Sequence, residues 1–202
     1  EVFAYEDDPD GVAFAERRGF TTVLRLRMLR LVLAGLPAPG VDPPEGVTIV
    51  TLAERPELAQ ALWEVACEAL PDMPYDGDAP VHPGTVEEFR AATLSGPGFI
   101  PEATFLALAG GDGVGFAQLS WDDRDRGIAF HSMLGVRRVA RGRGIAGALK
   151  AAQIAWAVRN GLTELRTGNE ERNAAARAVN ARYPYEPIPD ALLLRGPLAS
   201  PA

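Results

Sequence analysis

Cysteine is almost absent from this chain of 202 residues: there is one, Cys67. No internal disulfide can form, and the composition fits a reducing compartment. Cys67 lies in the apolar helical pattern ELAQALWEVACEAL, where a packed thiol is the ordinary reading and a nucleophile the unusual one. Histidine is nearly as scarce, with only His82 and His131. No metal-ligand cluster and no Ser-His-Asp order stands out, so no metal is expected. A run of roughly eighteen apolar residues is also missing, and the start lacks the basic and apolar regions of a signal peptide. The expectation is a protein without a membrane span, located in the cytoplasm. Positive charge is in the minority, 20 basic against 27 acidic residues and a net charge of -7. That argues against general nucleic-acid binding and leaves small cationic substrates open. The apolar and charged shares, 47% and 23%, are those of a globular chain. The length suits one domain, or one with an appendage. The first residue is Glu1 rather than methionine, which suggests a piece of a longer protein.

Against this acidic background, the stretch from Gly135 to Asn160, GVRRVARGRGIAGALKAAQIAWAVRN, concentrates arginine and glycine just before a long alanine-rich helix. The first amides of a helix lack intrahelical partners, and the helix dipole adds partial positive charge, so the junction suits an anion. Gly142 and Gly144 give access to the backbone. Arg137, Arg138, Arg141 and Arg143 carry planar guanidinium groups that grip phosphate oxygens in pairs. A plain basic helix start on a solvated loop is the bland alternative. Residues 142–147 also satisfy G-x-G-x-x-G, with Glu164 about twenty residues on. However, the bulky residues between the preceding strand and Gly142 do not suit a Rossmann turn. The Walker pattern fails because no glycine precedes Lys150.

Along the chain, DGVAFAERR from Asp10 reads as a short helix stopped by Gly19, and TTVLRLRMLRLVL as a buried strand. The Pro/Gly-rich span 34–46 reads as a linker. A strand is expected at 47–52, a helix from Pro56 to about Leu70, a long loop at 71–84, and a helix from about Thr85 to Leu94 with Gly84 and Glu87 as its capping pair. Strands near 104–109, 114–121 and 127–136 follow, joined by short turns as an antiparallel meander. The next helix carries an apolar stripe of Ile145, Leu149, Ala152 and Trp156. A strand at 162–167, a helix at 173–182 and a strand at 191–195 complete the chain. Strand, helix and strand in that order imply a right-handed crossover, hence a mixed sheet.

Arg141-Gly142-Arg143-Gly144-Ile145-Ala146 resembles the Arg/Gln-x-x-Gly-x-Gly/Ala signature of the GNAT superfamily of N-acetyltransferases. Gly161, LTELRT from Leu162, and Asn173 with Ala176 and Val179 extend the likeness. PDMPYDGDAP, VEEFRAA and PEATFLALAGGDGVGFAQLSW are similar to the second domain of tandem GNAT proteins. The resemblance covers roughly 46–198. It implies an α/β fold of α+β layout, with a mixed, mostly antiparallel central sheet flanked by helices. It also implies acetyl-CoA as acyl donor and a small amine as acceptor. Residues 47–198 then form one complete GNAT-like domain. GVAFAERRGF from Gly11 lies over ARAVNARYPY from Ala176, so 1–33 resembles the tail of a preceding repeat, which would pair with the complete domain or with a second chain.

The resemblance also distributes roles. Leu134, Gly135 and Val136 would pair with the pantetheine arm, Arg141, Gly142, Arg143, Gly144, Ile145 and Ala146 would hold the pyrophosphate, and Asn173 would contact the arm. The family's tyrosine acid falls on Asn180, which cannot protonate a thiolate, and Pro184-Tyr185 replaces the usual Gly-Phe exit. Tyr183 is the substitute donor, and His131 is the candidate base, with an unperturbed pKa near 6.5. His82 reads as solvated, while Asp72, Asp76 and Asp78 could attract a cationic amine. The implied reaction is direct attack by the amine in a ternary complex. A catalytically silent acyl-CoA-binding or partner-binding module is the alternative.

Overall fold

Alternating apolar segments separated by glycine and aspartate turns become strands, and the longer alanine-rich segments become helices, in a computed structural model that describes residues 1–73 and 82–197. In chain order these elements are β1 (Val2–Tyr5), α1 (Pro9–Glu16), β2 (Thr21–Val32), β3 (Val47–Thr51), α2 (Ala59–Ala69), α3 (Val86–Thr93), β4 (Phe99–Ala109) and β5 (Asp112–Asp123). There follow β6 (Ile128–Val136), α4 (Ile145–Arg159), β7 (Glu164–Asn169), α5 (Ala174–Asn180), β8 (Glu186–Pro187) and β9 (Ala191–Arg195). Short 3-10 turns occupy Pro56–Leu58, Leu70–Asp72 and Arg138–Ala140.

Contacts divide the chain into two units, 31–73 with 82–167 and 1–30 with 168–197. The larger unit carries strands in the order β3-β4-β5-β6-β7. Neighbours are antiparallel from β3 to β6, and β6 and β7 run parallel, with Ile128 opposite Glu164 and Phe130 opposite Arg166. Helix α4 is the crossover that parallel pairing requires.

Two glycines show how the helices seat on this sheet. A Cβ on Gly135 would lie 2.7 Å from Ala69 Cβ of α2, and one on Gly115 would lie 3.1 Å from Ile145 Cγ2 of α4. Helices α2 and α4 therefore press closely on β6 and β5, so that a side chain at Gly135 would displace α2 and one at Gly115 would push Ile145 aside by a few tenths of an ångström. Leu62, Val65, Ala66 and Leu70 of the α2 region pack with Phe89, Leu106, Leu108 and Phe116 to form a core on that side. Ten of the fifteen residues of α4 are buried, Lys150 and Gln153 among them. Burial thus wraps the helix instead of following the expected stripe, and Trp156 is only half-buried.

In the smaller unit β1 pairs with β9, β9 with β2, and β2 with β8, all antiparallel. Ala15 of α1 packs on Leu192 and Leu194 of β9, with Ala4, Val12 and Phe20 around them. The carboxylate of buried Asp190 accepts a bond from Arg27 at 3.1 Å, fixing the turn before β9 to β2. Strands β1 and β8 were not anticipated, being four and two residues long. Strand β4 starts at Phe99, five residues earlier than expected, across a register shift between Phe99 and Thr104. The cap of α3 is Thr85, whose hydroxyl accepts from the Glu88 amide while Glu88 reaches back, rather than Gly84 with Glu87. The hydroxyl satisfies a free amide, which glycine has no side chain to do.

Candidate functional site

Strand β6 ends at Val136, and the chain reaches α4 through the 3-10 turn, an extended Arg141 and two left-handed glycines, Gly142 at φ 75° and Gly144 at φ 92°. Those angles favour glycine on backbone grounds alone, for a Cβ at either position would meet nothing within 4 Å. Gly144 is the N-cap of α4 and supplies no side-chain acceptor. The first intrahelical bond runs from Ala148 N to Gly144 O at 3.1 Å. Residues 141–144 are exposed. An exposed turn thus leads into a largely buried fifteen-residue helix that has no side-chain cap, at the end where the helix dipole is positive.

The arginines do more than face solvent. Arg138 donates from Nε and NH2 to both oxygens of Asp72, at 2.8 and 2.6 Å. Arg141 reaches Asp72 at 2.7 Å and donates from Nε to Val136 O at 2.9 Å. Arg137 pairs with Glu64 at 3.4 Å and Glu68 at 3.9 Å, and the Arg138 amide donates to Glu68 at 2.6 Å. Glu64, Glu68 and Asp72 are spaced four apart along α2 and the turn that extends it, so one helix face presents three carboxylates to the loop. The two guanidinium groups beside Asp72 hold its carboxyl well below the usual range. Asp72 is thus engaged with the loop arginines. Asp76 and Asp78 lie outside the described residues.

The pantetheine candidates Leu134, Gly135 and Val136 sit at the end of β6, hydrogen-bonded on one side to β5. On the other side the parallel register with β7 covers only residues 128–130 of β6. Between them Ser132 is an extra residue: Gln118 faces Met133 while Leu119 faces His131. Such a bulge bends and twists its strand. It falls where the β6 and β7 pairing ends.

His131, the candidate base, is interior. Its Nδ1 lies 2.9 Å from Gln153 Oε1, and burial with Lys150 nearby pushes its pKa well below 6.5. Lys150 itself is pushed down to about 7 by burial. Sequence reasoning missed both α4 partners, because an alanine-rich helix with one lysine reads as amphipathic. Cys67 is half-buried rather than in the core, its thiol pushed up by burial and by Glu64. His82 is exposed.

In the smaller unit, Asn173 caps α5, its Oδ1 accepting from the Ala176 amide at 3.0 Å. Its side-chain NH2 keeps its donors for another partner. Asn180 is the buried last residue of α5. Tyr183, half-buried, has its pKa raised by burial.

This architecture is the GNAT fold, an α/β arrangement on a mixed, mostly antiparallel sheet. A GCN5-related N-acetyltransferase from Sphaerobacter thermophilus superposes with a TM-score of 0.69 at 25% identity, over 95% of this chain and 57% of that one. A tandem GNAT protein from the clavulanic acid biosynthesis pathway gives a TM-score of 0.65 at 20% identity, over 93% of this chain and 58% of that one. Residues 60–182 match the acetyltransferase (GNAT) family, and the chain belongs to that family. A mycothiol acetyltransferase from Geodermatophilus obscurus is 29% identical over 189 residues, 90% of this chain and 58% of that protein. The chain thus spans less than two thirds of the length of each of these three relatives.

Proposed function

We propose that the chain is an acetyl-CoA-dependent N-acetyltransferase that acetylates an amine of a small substrate by direct attack in a ternary complex. The observation that carries this reading is the exposed start of α4, without a side-chain cap, behind left-handed Gly142 and Gly144. Open amides, a helix dipole and adjacent guanidinium groups fit the phosphates of an acyl-CoA. When bound, acetyl-CoA supplies the activated acetyl group. The pyrophosphate role goes to residues 141–146, the pantetheine role to Leu134, Gly135 and Val136, and a polar contact to the Asn173 amide.

The acceptor amine must be neutral to attack the thioester carbonyl; the carbon–sulfur bond then breaks, sulfur leaves as thiolate, and the nitrogen gives up one proton to water. A thiol with a pKa of about 8.5 leaves with little help near neutral pH. Tyr183 is the hydroxyl left for the donor role, although burial raises its pKa and so weakens it as an acid. His131 supports the mechanism less, because its ring is sealed against α4. That sealing, together with Asn180 at the family's tyrosine position, favours the second reading, a silent acyl-CoA-binding module.

Residues 1–33 are read as the tail of a preceding repeat, supported by the pairing of β1 and β2 with β9 and by the length of the relatives. A cytoplasmic location accords with the single cysteine. The deciding experiment is free-thiol release from acetyl-CoA across a panel of small amines, with mycothiol-related amines included because of the relative. Release with one acceptor class supports the enzyme. CoA binding without release supports the silent module.

A further inference from the structure

In isolation an arginine cluster beside a phosphate-binding loop reads as the phosphate grip. Here one edge of each of two arginines is engaged within the protein: Arg138 gives Nε and NH2 to Asp72, and Arg141 divides the same edge between Val136 O and Asp72, while Arg143 makes one 3.4 Å contact to Glu45 O. The loop they belong to has two left-handed glycines and no side-chain cap, so little of its own chemistry holds it still. Ordering such a segment at the moment of binding costs affinity, and tethering it beforehand recovers that loss. Asp72 ends the turn that extends α2, whose residues Leu62, Val65 and Ala66 are fully packed in the core, so the tether is anchored on rigid structure.

We propose that Asp72 is a positioning residue for phosphate recognition: it clamps Arg138 and Arg141 to α2, and so holds the loop amides that open α4. Arg138 and Arg141 then act as struts, which leaves phosphate recognition to the backbone amides and Arg143. This inference rests on the proposed use of acyl-CoA at the loop. Its sign separates it from simple electrostatics, since removing a carboxylate beside an anion site should by charge alone tighten anion binding.

The test is calorimetric titration of CoA into the full chain and its variants. Asp72→Asn is expected to weaken CoA binding about fivefold, the size that a partly exposed ion-pair network supports. Asp72→Glu should lie nearer the wild type. In an Arg138→Gln/Arg141→Gln background, Asp72→Asn should give no further loss. Without any ligand, hydrogen exchange at the amides of 142–146 should quicken in Asp72→Asn while the amides of β5 are unchanged. Equal or tighter CoA binding by Asp72→Asn, or unchanged loop exchange, overturns the proposal. If the wild type binds no CoA, or Gly144→Glu binds it as well as the wild type, the underlying function fails instead. The exchange result then decides the tether on its own.

Discussion

The Nδ1 of His131 faces Oε1 of Gln153 at 2.9 Å, joining the centre of β6 to the centre of α4 by a buried polar contact. In this orientation Nδ1 carries the proton and donates, which fixes the tautomer of a ring kept neutral by burial. The contact gives a histidine on a core-facing position a partner for Nδ1, with Lys150 close enough to oppose its protonation. Position on a strand leading into the loop made His131 a candidate base, but position in sequence carries no information on which face a bulged strand presents.

A pH dependence follows from this cluster. Lys150 has its folded pKa lowered from 10.5 to about 7. Between those values the unfolded chain holds a proton that the native chain does not, so stability rises with pH through this window. One proton contributes a slope approaching ~1.4 kcal/mol per pH unit. Thermal melts from pH 7 to 9 should show a rising Tm for the wild type and a flatter profile for Lys150→Met. A profile of the same slope in both would remove Lys150 as the cause.

Gly144→Glu should abolish CoA binding while leaving the fold intact. It places bulk and negative charge at the start of α4, on a residue whose φ of 92° also disfavours any side chain. Calorimetry with far-UV circular dichroism checks both halves. Unchanged affinity would take the loop out of the site.

Gly135→Val should destabilise the protein by about 1–3 kcal/mol, the usual range for overpacking. Its Cβ would sit 2.7 Å from Ala69 Cβ and 3.0 Å from Phe116 Cε1. Denaturant unfolding measures the loss. If stability is retained and only CoA affinity falls, the glycine serves the ligand rather than the packing of α2.

Cys67→Ala should leave the steady-state kinetics unchanged. The thiol is half-buried with its pKa raised, the opposite of an activated nucleophile. Tyr183→Phe should lower turnover by no more than roughly 100-fold, the lower bound for general acid catalysis. A trapped acetyl-cysteine in mass spectrometry, or ping-pong kinetics, would overturn direct transfer.

The loop was legible because its determinants are local: glycines that must be left-handed, arginines in a row and a helix directly after them. Helix α1, strand β9 and the meander turns were legible for the same reason, each set by periodicity and by glycine or aspartate stops. The acidic face of α2 was not, although Glu64, Glu68 and Asp72 stand at helical spacing. Carboxylates spaced four apart usually meet water, and their arginine partners lie 66 or more residues away. The burial of Lys150 and Gln153 is not legible either, because polar residues in an alanine-rich helix normally mark its solvent side, and here both are covered.

That covering of α4 determines how a ligand would make itself felt. The amides at the start of that helix are presented together only while α4 is packed on β4, β5 and β6. A molecule held there binds the folded unit and not the unfolded chain, so its binding free energy adds to the stability of the whole larger unit. A melting-temperature screen of nucleotides, acyl-CoAs and amines should therefore register occupants of this loop even before any acceptor is known.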